Sequence, residues 1–155
     1  MGRISKLFTA VENGDKEQVK YQLSAGWILG ALDINAKYSY DGWKEISILH
    51  WAALKNDNNE MVRYLLSKGA NINLQEKIGF TPLHCALYKN NRAVVAELIN
   101  NNNCNLSIEN RSGQTPLQYV FEQNGSDRIP LLVGNPGFLK KGNSNLLFYY
   151  IINNN

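Results

Sequence analysis

Two histidines and two cysteines are the residues of this chain whose types could support metal binding or covalent catalysis. His50 and His84 lie 34 positions apart, and Cys85 directly follows His84. Zinc ligands or a thiol nucleophile with a histidine base would need these residue types. No third group completes either set, and Cys85 and Cys104 lack the close spacing of a zinc motif. The sequence therefore favours structural histidines and free thiols in a reducing cytosol.

Other classes of chemistry find little support in the composition. The segment GNPGFLKKGNS at 134–144 lacks the spacing of a phosphate-binding loop and has no preceding strand. The net charge is only +3, and the Lys and Arg residues are scattered rather than gathered in a basic stripe. No stretch approaches the roughly 20 apolar residues of a membrane span, and the start of the chain lacks a secretory signal. We expect a monomeric cytoplasmic protein without cofactor, metal, nucleic-acid or membrane partner.

An internal repeat defines the elements that must position these residues. The step from His50 to His84 equals the step from His84 to Gln118, 34 positions in each case. A fixed period of this size indicates stacked supersecondary units, none of which can bury its apolar faces alone. The start of the chain matches more loosely, with Leu7 aligned to Leu49, so about nine residues are inserted between the first two units.

The repeated phrase resembles the ankyrin repeat family. Residues 79–86 read GFTPLHCA, and residues 68–73 read KGANIN, which are similar to the opening and closing motifs of that family. The resemblance covers residues 5 to about 133. It implies an all-α ankyrin-repeat solenoid, with helix-turn-helix units joined by β-hairpin-like fingers. It also implies that the histidine of the phrase bonds the backbone of the neighbouring turn, and that the chain itself has no catalytic role.

Each residue of the phrase has a local physical reason. Thr81 can cap a helix by accepting hydrogen bonds from its first backbone N–H groups. Pro82 suits the first helical turn, where its missing N–H costs nothing. Gly69 can supply the positive φ that ends the second helix of a unit. The sequence also places Cys85 at a partly exposed position of the first helix and Cys104 at a buried position normally held by alanine.

We expect a single domain over 1–155. Its units are predicted at about 4–37, 42–75, 76–109 and 110–133, with a partial repeat or cap at 138–155. In the first unit Phe8 replaces the histidine, and in the fourth Gln118 does. Pro130 should restrict the second helix of the fourth unit. The terminal segment is either a half-repeat that covers the end of the stack or the beginning of a longer protein.

The insertion between the first two units divides into two parts. Trp27, Ile28, Leu29 and Leu32 are predicted to fold back on the first unit. The second part is the first finger, in which aromatic residues flank an Asp41-Gly42 turn signal. These aromatics are either exposed anchors for a partner, which can dominate interface energetics, or a packed cluster that stiffens a long loop.

The resemblance implies that fingers and first helices line a concave binding face. We expect the partner-binding residues there to be Tyr38, Tyr40, Trp43, Lys77, Ile78, Phe80, Tyr88, Lys89, Arg111 and Glu122. Asn73 and Asn35 occupy the position that ankyrin proteins can present to the cytosolic asparaginyl hydroxylase. They are candidates for hydroxylation or, alternatively, unmodified structural asparagines.

The function implied by the resemblance is that of a protein–protein interaction module or adaptor. Its asparagine-rich, divergent repeats are also compatible with a secreted effector of an intracellular microbe that acts in the host cytoplasm. Two alternatives remain open at this stage. The chain could be the recognition arm of a larger enzyme, or a regulatory subunit that inhibits an enzyme by occluding it.

Overall fold

The computed structural model of the protein describes residues 2–24, 31–55, 58–123 and 138. Most of these residues are helical. The helices are α1 (Arg3–Glu12), α2 (Lys16–Ser24), α3 (Ile48–Leu54), α4 (Asn59–Ser67), α5 (Pro82–Tyr88), α6 (Arg92–Asn100) and α7 (Pro116–Glu122). A two-stranded antiparallel sheet pairs β1 (Tyr38–Tyr40) with β2 (Trp43–Ile46). None of the helices within these ranges is long and apolar enough to span a membrane.

The short first helices begin where side-chain caps predict. Thr81 accepts a hydrogen bond from the backbone N–H of His84, and Pro82 occupies the first turn of α5. Thr115 caps α7 in the same way, and Ser47 caps α3. Because each cap satisfies N–H groups that have no partner inside the helix, a helix of only seven residues starts at a defined position.

Successive helix pairs pack against one another. Within pairs, α1 contacts α2, α3 contacts α4, and α5 contacts α6. Between pairs, α1 packs on α3, α3 on α5, and α5 on α7, while α4 packs on α6. The side chains of Ala52 and Ala86 are fully buried on these first helices, where a small residue permits close approach. The core is thus formed both within and between units, which is why one unit requires its neighbours.

Two buried histidines connect successive units by hydrogen bonds from their rings to backbone carbonyls of the next unit. The Nε2 atom of His50 lies 3.0 Å from the carbonyl oxygen of Phe80, and Nε2 of His84 lies 3.1 Å from that of Gln114. The partner carbonyl follows the histidine by 30 residues in both cases. The expectation that His84 bonds the backbone of the neighbouring turn is therefore confirmed.

Asparagines form a second set of bonds between units. The Asn35 amide donates to the carbonyl of Gly69 and accepts from the N–H of Asn71. Asn73 repeats both bonds one unit later, to Asn103 and from Asn105. Positive φ at Gly69 (90°) ends the segment after α4, as its position in the phrase predicted. Part of the high asparagine content thus has a structural use.

The first finger is a tight hairpin. Asp41 and Gly42 both have positive φ, 49° and 81°, which is the backbone of a turn that matches strand twist. The turn predicted at this dipeptide is confirmed. Glu45 has φ 55°, and the strand register is irregular between Tyr38 and Tyr40. This irregularity is a bulge in β2, where a left-handed backbone is expected to twist the strand.

The helix pairs fall within the predicted units, although the unit bounds themselves stay a prediction. Three predicted features lie outside the described residues. They are the fold-back of residues 27–29, the restricted helix around Pro130, and the terminal segment 138–155 apart from Phe138. Phe138 is buried at 1% exposure.

Candidate functional site

The three fingers are joined edge to edge by their backbones. The N–H of Lys77 donates to the carbonyl of Lys44 at 3.4 Å, and the N–H of Arg111 donates to that of Ile78 at 3.0 Å. Gly79 has φ +83°, and a Cβ added there would lie only 2.7 Å from the Arg111 nitrogen. Glycine at this position therefore meets two requirements, a left-handed backbone and close approach of the next finger.

Buried polar side chains shape each finger from inside. The carboxylate of Glu76 accepts from the N–H groups of Ile78 and Phe80 at 2.9 and 2.8 Å. The amide oxygen of Asn110, 34 positions later, accepts from Ser112 and Gln114 in the same pattern. These buried side chains provide hydrogen-bond acceptors for the backbone N–H groups of the finger tips. The outward side chains of the tips therefore need not hold the loop.

Three large apolar side chains lie on the first two fingers and on helix α5. Ile78 is 51% exposed and Tyr88 is 42% exposed, and Trp43 is half-buried. The rings of Trp43 and Tyr88 meet edge to face with centroids 6.2 Å apart. We call Trp43, Ile78 and Tyr88 the finger cluster. It draws one residue from the first finger, one from the second finger and one from the third unit's first helix.

Lysines flank every member of the finger cluster. Lys44 follows Trp43, Lys77 precedes Ile78, and Lys89 follows Tyr88. The Lys89 ammonium lies 5.3 Å from the centroid of the Tyr88 ring, a weak exposed cation–π contact. All three lysines are exposed, and none forms an ion pair with another described residue.

Tyr38 and Tyr40 do not join this surface. Phe8 is fully buried, and its ring centroid lies 4.5 Å from Tyr40 and 6.0 Å from Tyr38. Tyr40 also meets the buried Trp51 edge to face at 5.1 Å. Tyr38 and Tyr40 are half-buried, as Trp43 is, and their rings pack beside Phe8, which stands in the histidine position of the first unit. Their assignment as partner anchors stays a prediction. Of the two alternatives for the first finger, packing describes Tyr38 and Tyr40, while Trp43 reaches the neighbouring units.

Phe80 requires correction as an exposed residue. It is only 7% exposed, and its ring stacks on His84 at 5.1 Å and meets Tyr119 at 4.8 Å. Its carbonyl accepts the His50 hydrogen bond. The ring and the backbone of Phe80 thus serve the junction between units, and a partner could reach them only by displacing core contacts.

The remaining predicted contact residues are exposed but dispersed. Lys77, Lys89 and Arg111 lie near the finger cluster, and Arg111 is tied to Ile78 by its backbone. Glu122, at the end of α7, accepts a hydrogen bond from the Gln114 side chain. It therefore belongs to the fourth unit rather than to the cluster.

The set of partner-binding residues expected from the sequence did not include Lys44. It belongs with the others because its carbonyl receives the Lys77 N–H and because it adjoins Trp43. The available signal was its place beside a finger aromatic, in the same relation as the lysines beside Ile78 and Tyr88.

The side chains of the two candidate hydroxylation residues are hydrogen-bonded to the backbone of the next unit. The Asn73 amide donates to Asn103 at 2.8 Å, and its oxygen accepts from Asn105 at 2.8 Å. Asn35 is held in the same way at 3.1 and 2.7 Å. Both are partly exposed, so they remain candidates, but a modifying enzyme would have to break these bonds to reach the Cβ atoms.

Hydrogen bonding and burial oppose the metal binding and covalent catalysis that histidine and cysteine could support. Nδ1 of His84 accepts from the Thr81 N–H at 3.2 Å while Nε2 faces a carbonyl, so both ring nitrogens are engaged. Burial lowers the pKa of His84 and of His50 to about 4, which keeps both rings neutral near pH 7. Cys85 is fully buried, contrary to its predicted partial exposure, and burial raises the pKa of its thiol. Cys104 is buried, as predicted.

Among the described residues, no group of three or more His, Cys, Asp or Glu side chains is placed to hold a metal ion. The arrangement that stands out chemically is therefore the finger cluster with its cations. It offers apolar contact area and positive charge without a reacting group.

Comparison with known proteins agrees with the repeated helix pairs. A family model described as ankyrin repeats, in three copies, matches residues 7–110, about two-thirds of the chain. A palmitoyltransferase AKR1 from Lachancea kluyveri is 37% identical over 81 residues, which is 52% of this chain and 10% of that protein. A palmitoyltransferase AKR1 from Eremothecium gossypii is 36% identical over 70 residues, 45% of this chain and 9% of that protein. The chain thus spans about a tenth of the length of these relatives.

Proposed function

The chain belongs to the ankyrin repeat family, and from this premise we propose that it binds a partner protein through the finger cluster. The units stack as a solenoid whose fingers and first helices line a concave face, and the finger cluster occupies that face. The protein acts as an interaction module in the cytoplasm. Fold alone does not name the partner, because one scaffold carries many unrelated sites.

The observation that carries the proposal is the exposed apolar edge of Trp43, Ile78 and Tyr88. Ile78 and Tyr88 are among the few large apolar side chains of the described residues that are strongly exposed. Aromatic side chains in a continuous patch are typical anchors, a few of which carry most of the energy of an interface. The backbone beneath the patch is held by Glu76 and by finger-to-finger bonds, so a partner would meet a preorganised surface.

Affinity capture from a eukaryotic lysate, followed by mass spectrometry, tests the proposal. Trp43→Ala and Tyr88→Ala should each reduce capture of the same partner roughly tenfold without lowering the melting temperature. Tyr21→Ala is the matched control, because Tyr21 is 63% exposed on α2, a second helix of the stack. Equal loss in all three variants, or no loss in the first two, would refute the assignment.

Phe80→Ala tests the fold as well as the surface, because Phe80 is buried. Because Phe80 contacts His84 and Tyr119, truncation should lower stability together with any effect on binding. It is therefore unsuitable as a binding variant.

A second function, the recognition arm of a larger enzyme, is supported by the short share of its relatives that this chain spans. Both are named palmitoyltransferases, and the match covers about a tenth of each. Sequencing the transcript beyond codon 155 tests this alternative. An open frame that encodes a catalytic domain would support it, and a stop codon at that point would favour the free-standing module.

A further inference from the structure

The charges around the finger cluster narrow the chemistry of the partner. Lys44, Lys77 and Lys89 each adjoin one apolar member of the cluster, and Arg111 is bonded to Ile78 through the backbone. These four cations come from the first, second and third fingers and from the end of α5. None of them forms an ion pair with another described residue.

Nearby acids only partly offset this charge. Glu76 is 5% exposed, and its carboxylate is bonded to two backbone N–H groups. Asp41 and Glu45 lie in the first hairpin, and Glu109 precedes the third finger. The immediate neighbours of Trp43, Ile78 and Tyr88 therefore carry cations, while the acids either lie beneath the surface or stand one position further away.

Several cations elsewhere on the stack form ion pairs between units. Lys16 bonds Glu60 at 2.9 Å, Lys55 bonds Glu12 at 2.5 Å, and Arg63 bonds Glu97 through two nitrogens. Each of these pairs joins neighbouring units. Lys37, Lys68 and Arg92 also form no ion pair with another described residue, so the finger cations are distinguished by their place beside apolar side chains, where a bound segment would supply counter-charges.

We propose that the finger cluster binds an acidic, extended peptide segment of the partner, in which carboxylates flank one or more large apolar side chains. The proposal rests on the proposed function and specifies its partner. The apolar side chain would cover Trp43, Ile78 and Tyr88, and the carboxylates would meet Lys44, Lys77, Lys89 and Arg111. Spanning two steps between fingers, on the order of 20 Å, takes about six extended residues.

Complementary charge of this kind contributes to specificity and association rate more than to raw affinity. The contacts are exposed, so added salt should screen them, and affinity should fall as ionic strength rises. Contacts of the apolar side chain with Trp43 and Tyr88 should change little with salt. The two contributions can therefore be separated by experiment.

The test begins with a displayed library of random peptides of roughly 12 residues, long enough to span the three fingers. Selection on the intact protein should enrich peptides that combine net negative charge with a large apolar residue. Enrichment of neutral or basic peptides would overturn the proposal. Failure to enrich any peptide would also overturn it, since the surface would then not recognise a short segment.

Charge reversal provides the second arm, measured on the selected peptides by fluorescence polarisation. Lys77→Glu combined with Arg111→Glu should weaken binding at least roughly tenfold and should reduce the salt dependence. Lys68→Glu combined with Arg92→Glu is the matched control, because it changes the net charge equally at exposed positions after α4 and at the start of α6. Equal weakening in both double variants would overturn the proposal, since it would show a general field effect.

Trp43→Ala separates this proposal from the proposed function. Peptides that require Trp43 but ignore the Lys77 and Arg111 reversal would overturn the acidic segment and leave the binding surface intact. Peptides that require neither would overturn both. A single-stranded DNA oligonucleotide serves as a polyanion probe. Competition by this DNA at equal charge concentration would overturn the assignment in favour of nucleic acid.

Discussion

The finger edge and the second-helix layer of this stack join the same units by different means. At the finger edge, buried side chains and backbone make the junctions, as in the bonds of His50 and His84 to carbonyls one unit away. Along the second helices, where α4 also packs on α6, exposed ion pairs such as Lys16–Glu60 and Arg63–Glu97 add to the junctions. Because the finger edge is held from within, its outward side chains are available for a partner.

This comparison also separates strong junctions from weak ones. Buried hydrogen bonds are expensive to break because they leave a polar group without a partner. Exposed ion pairs contribute little, since water and salt screen them. We therefore expect the finger edge to govern stability and the second-helix pairs to adjust it slightly.

Acidification should have the largest effect, and it acts on the finger edge. Burial lowers the pKa of His50 and His84 to about 4, below the usual value of 6.5. The two imidazoles therefore bind protons below about pH 6.5 in the unfolded chain, but only below about pH 4 in the folded chain. Stability should be fully present above pH 6.5 and decline as the pH falls toward 4, by on the order of 3 kcal/mol for each histidine.

Urea unfolding measured at intervals between pH 7 and pH 4 checks this expectation. The double variant His50→Gln with His84→Gln should show a flatter dependence, because glutamine cannot titrate. A wild-type stability that stays constant across this range would show that the finger edge is not sensitive to histidine charge.

Gly79→Ala should produce the next largest effect. The substitution places a side chain at φ +83° and brings its Cβ to 2.7 Å from the Arg111 nitrogen. We expect a loss of about 3 kcal/mol, from backbone strain and from separation of the fingers. Gly113→Ala is the control, because Gly113 has φ +74° but a Cβ there would lie 4.0 Å from Oε2 of Glu109, its nearest neighbour. Its cost should be closer to about 1 kcal/mol, and equal costs would mean that the fingers are not closely apposed.

His84→Ala should destabilise the stack by about 1–3 kcal/mol, because the carbonyl of Gln114 and the N–H of Thr81 lose their partner. His84→Gln should lose less. Gln118 shows that a glutamine in this position can accept from the capping threonine's N–H, at 2.9 Å. Urea midpoints of the three proteins decide the order, and an unchanged midpoint in His84→Ala would exclude the bridging role. Added zinc or EDTA should shift none of the midpoints.

The smallest expected effects compare the two kinds of cation directly. Arg63→Ala removes the exposed pair with Glu97 and should lower stability only slightly, with a smaller loss in high salt. Lys77→Ala removes no described ion pair and should leave the melting temperature unchanged. A marked loss of stability in Lys77→Ala would mean that the finger cations support the fold, and this would weaken their assignment to a partner.

Much of the fold could be predicted because its determinants are local. The Thr81 cap acts within three residues, Pro82 needs only the first turn, and Gly69 needs only its own φ. The step from His50 to His84 then repeats the same local solution. The repeat period and the capping residues are local, so the helix starts could be inferred without coordinates, while the histidine bonds were implied by the resemblance to ankyrin repeats.

The candidate site could be predicted only in part. The resemblance to ankyrin repeats implied that Trp43, Lys77, Ile78 and Tyr88 lie on one face. The burial of Phe80 depends on Tyr119, which lies 39 positions later, and no local pattern reports that contact. Cys85 likewise became buried through packing between units.

The sequence by itself determined that this chain repeats a capped helix pair, with a histidine that reaches the next unit. Only the tertiary structure decided which finger aromatics are exposed. Tyr40 packs on Phe8, whereas Trp43, three residues later, crosses to Tyr88 of another unit. The physical reason is that exposure is not a property of a residue or of its immediate neighbours. It depends on which side chains of adjacent units cover it, and those lie tens of residues away along the chain.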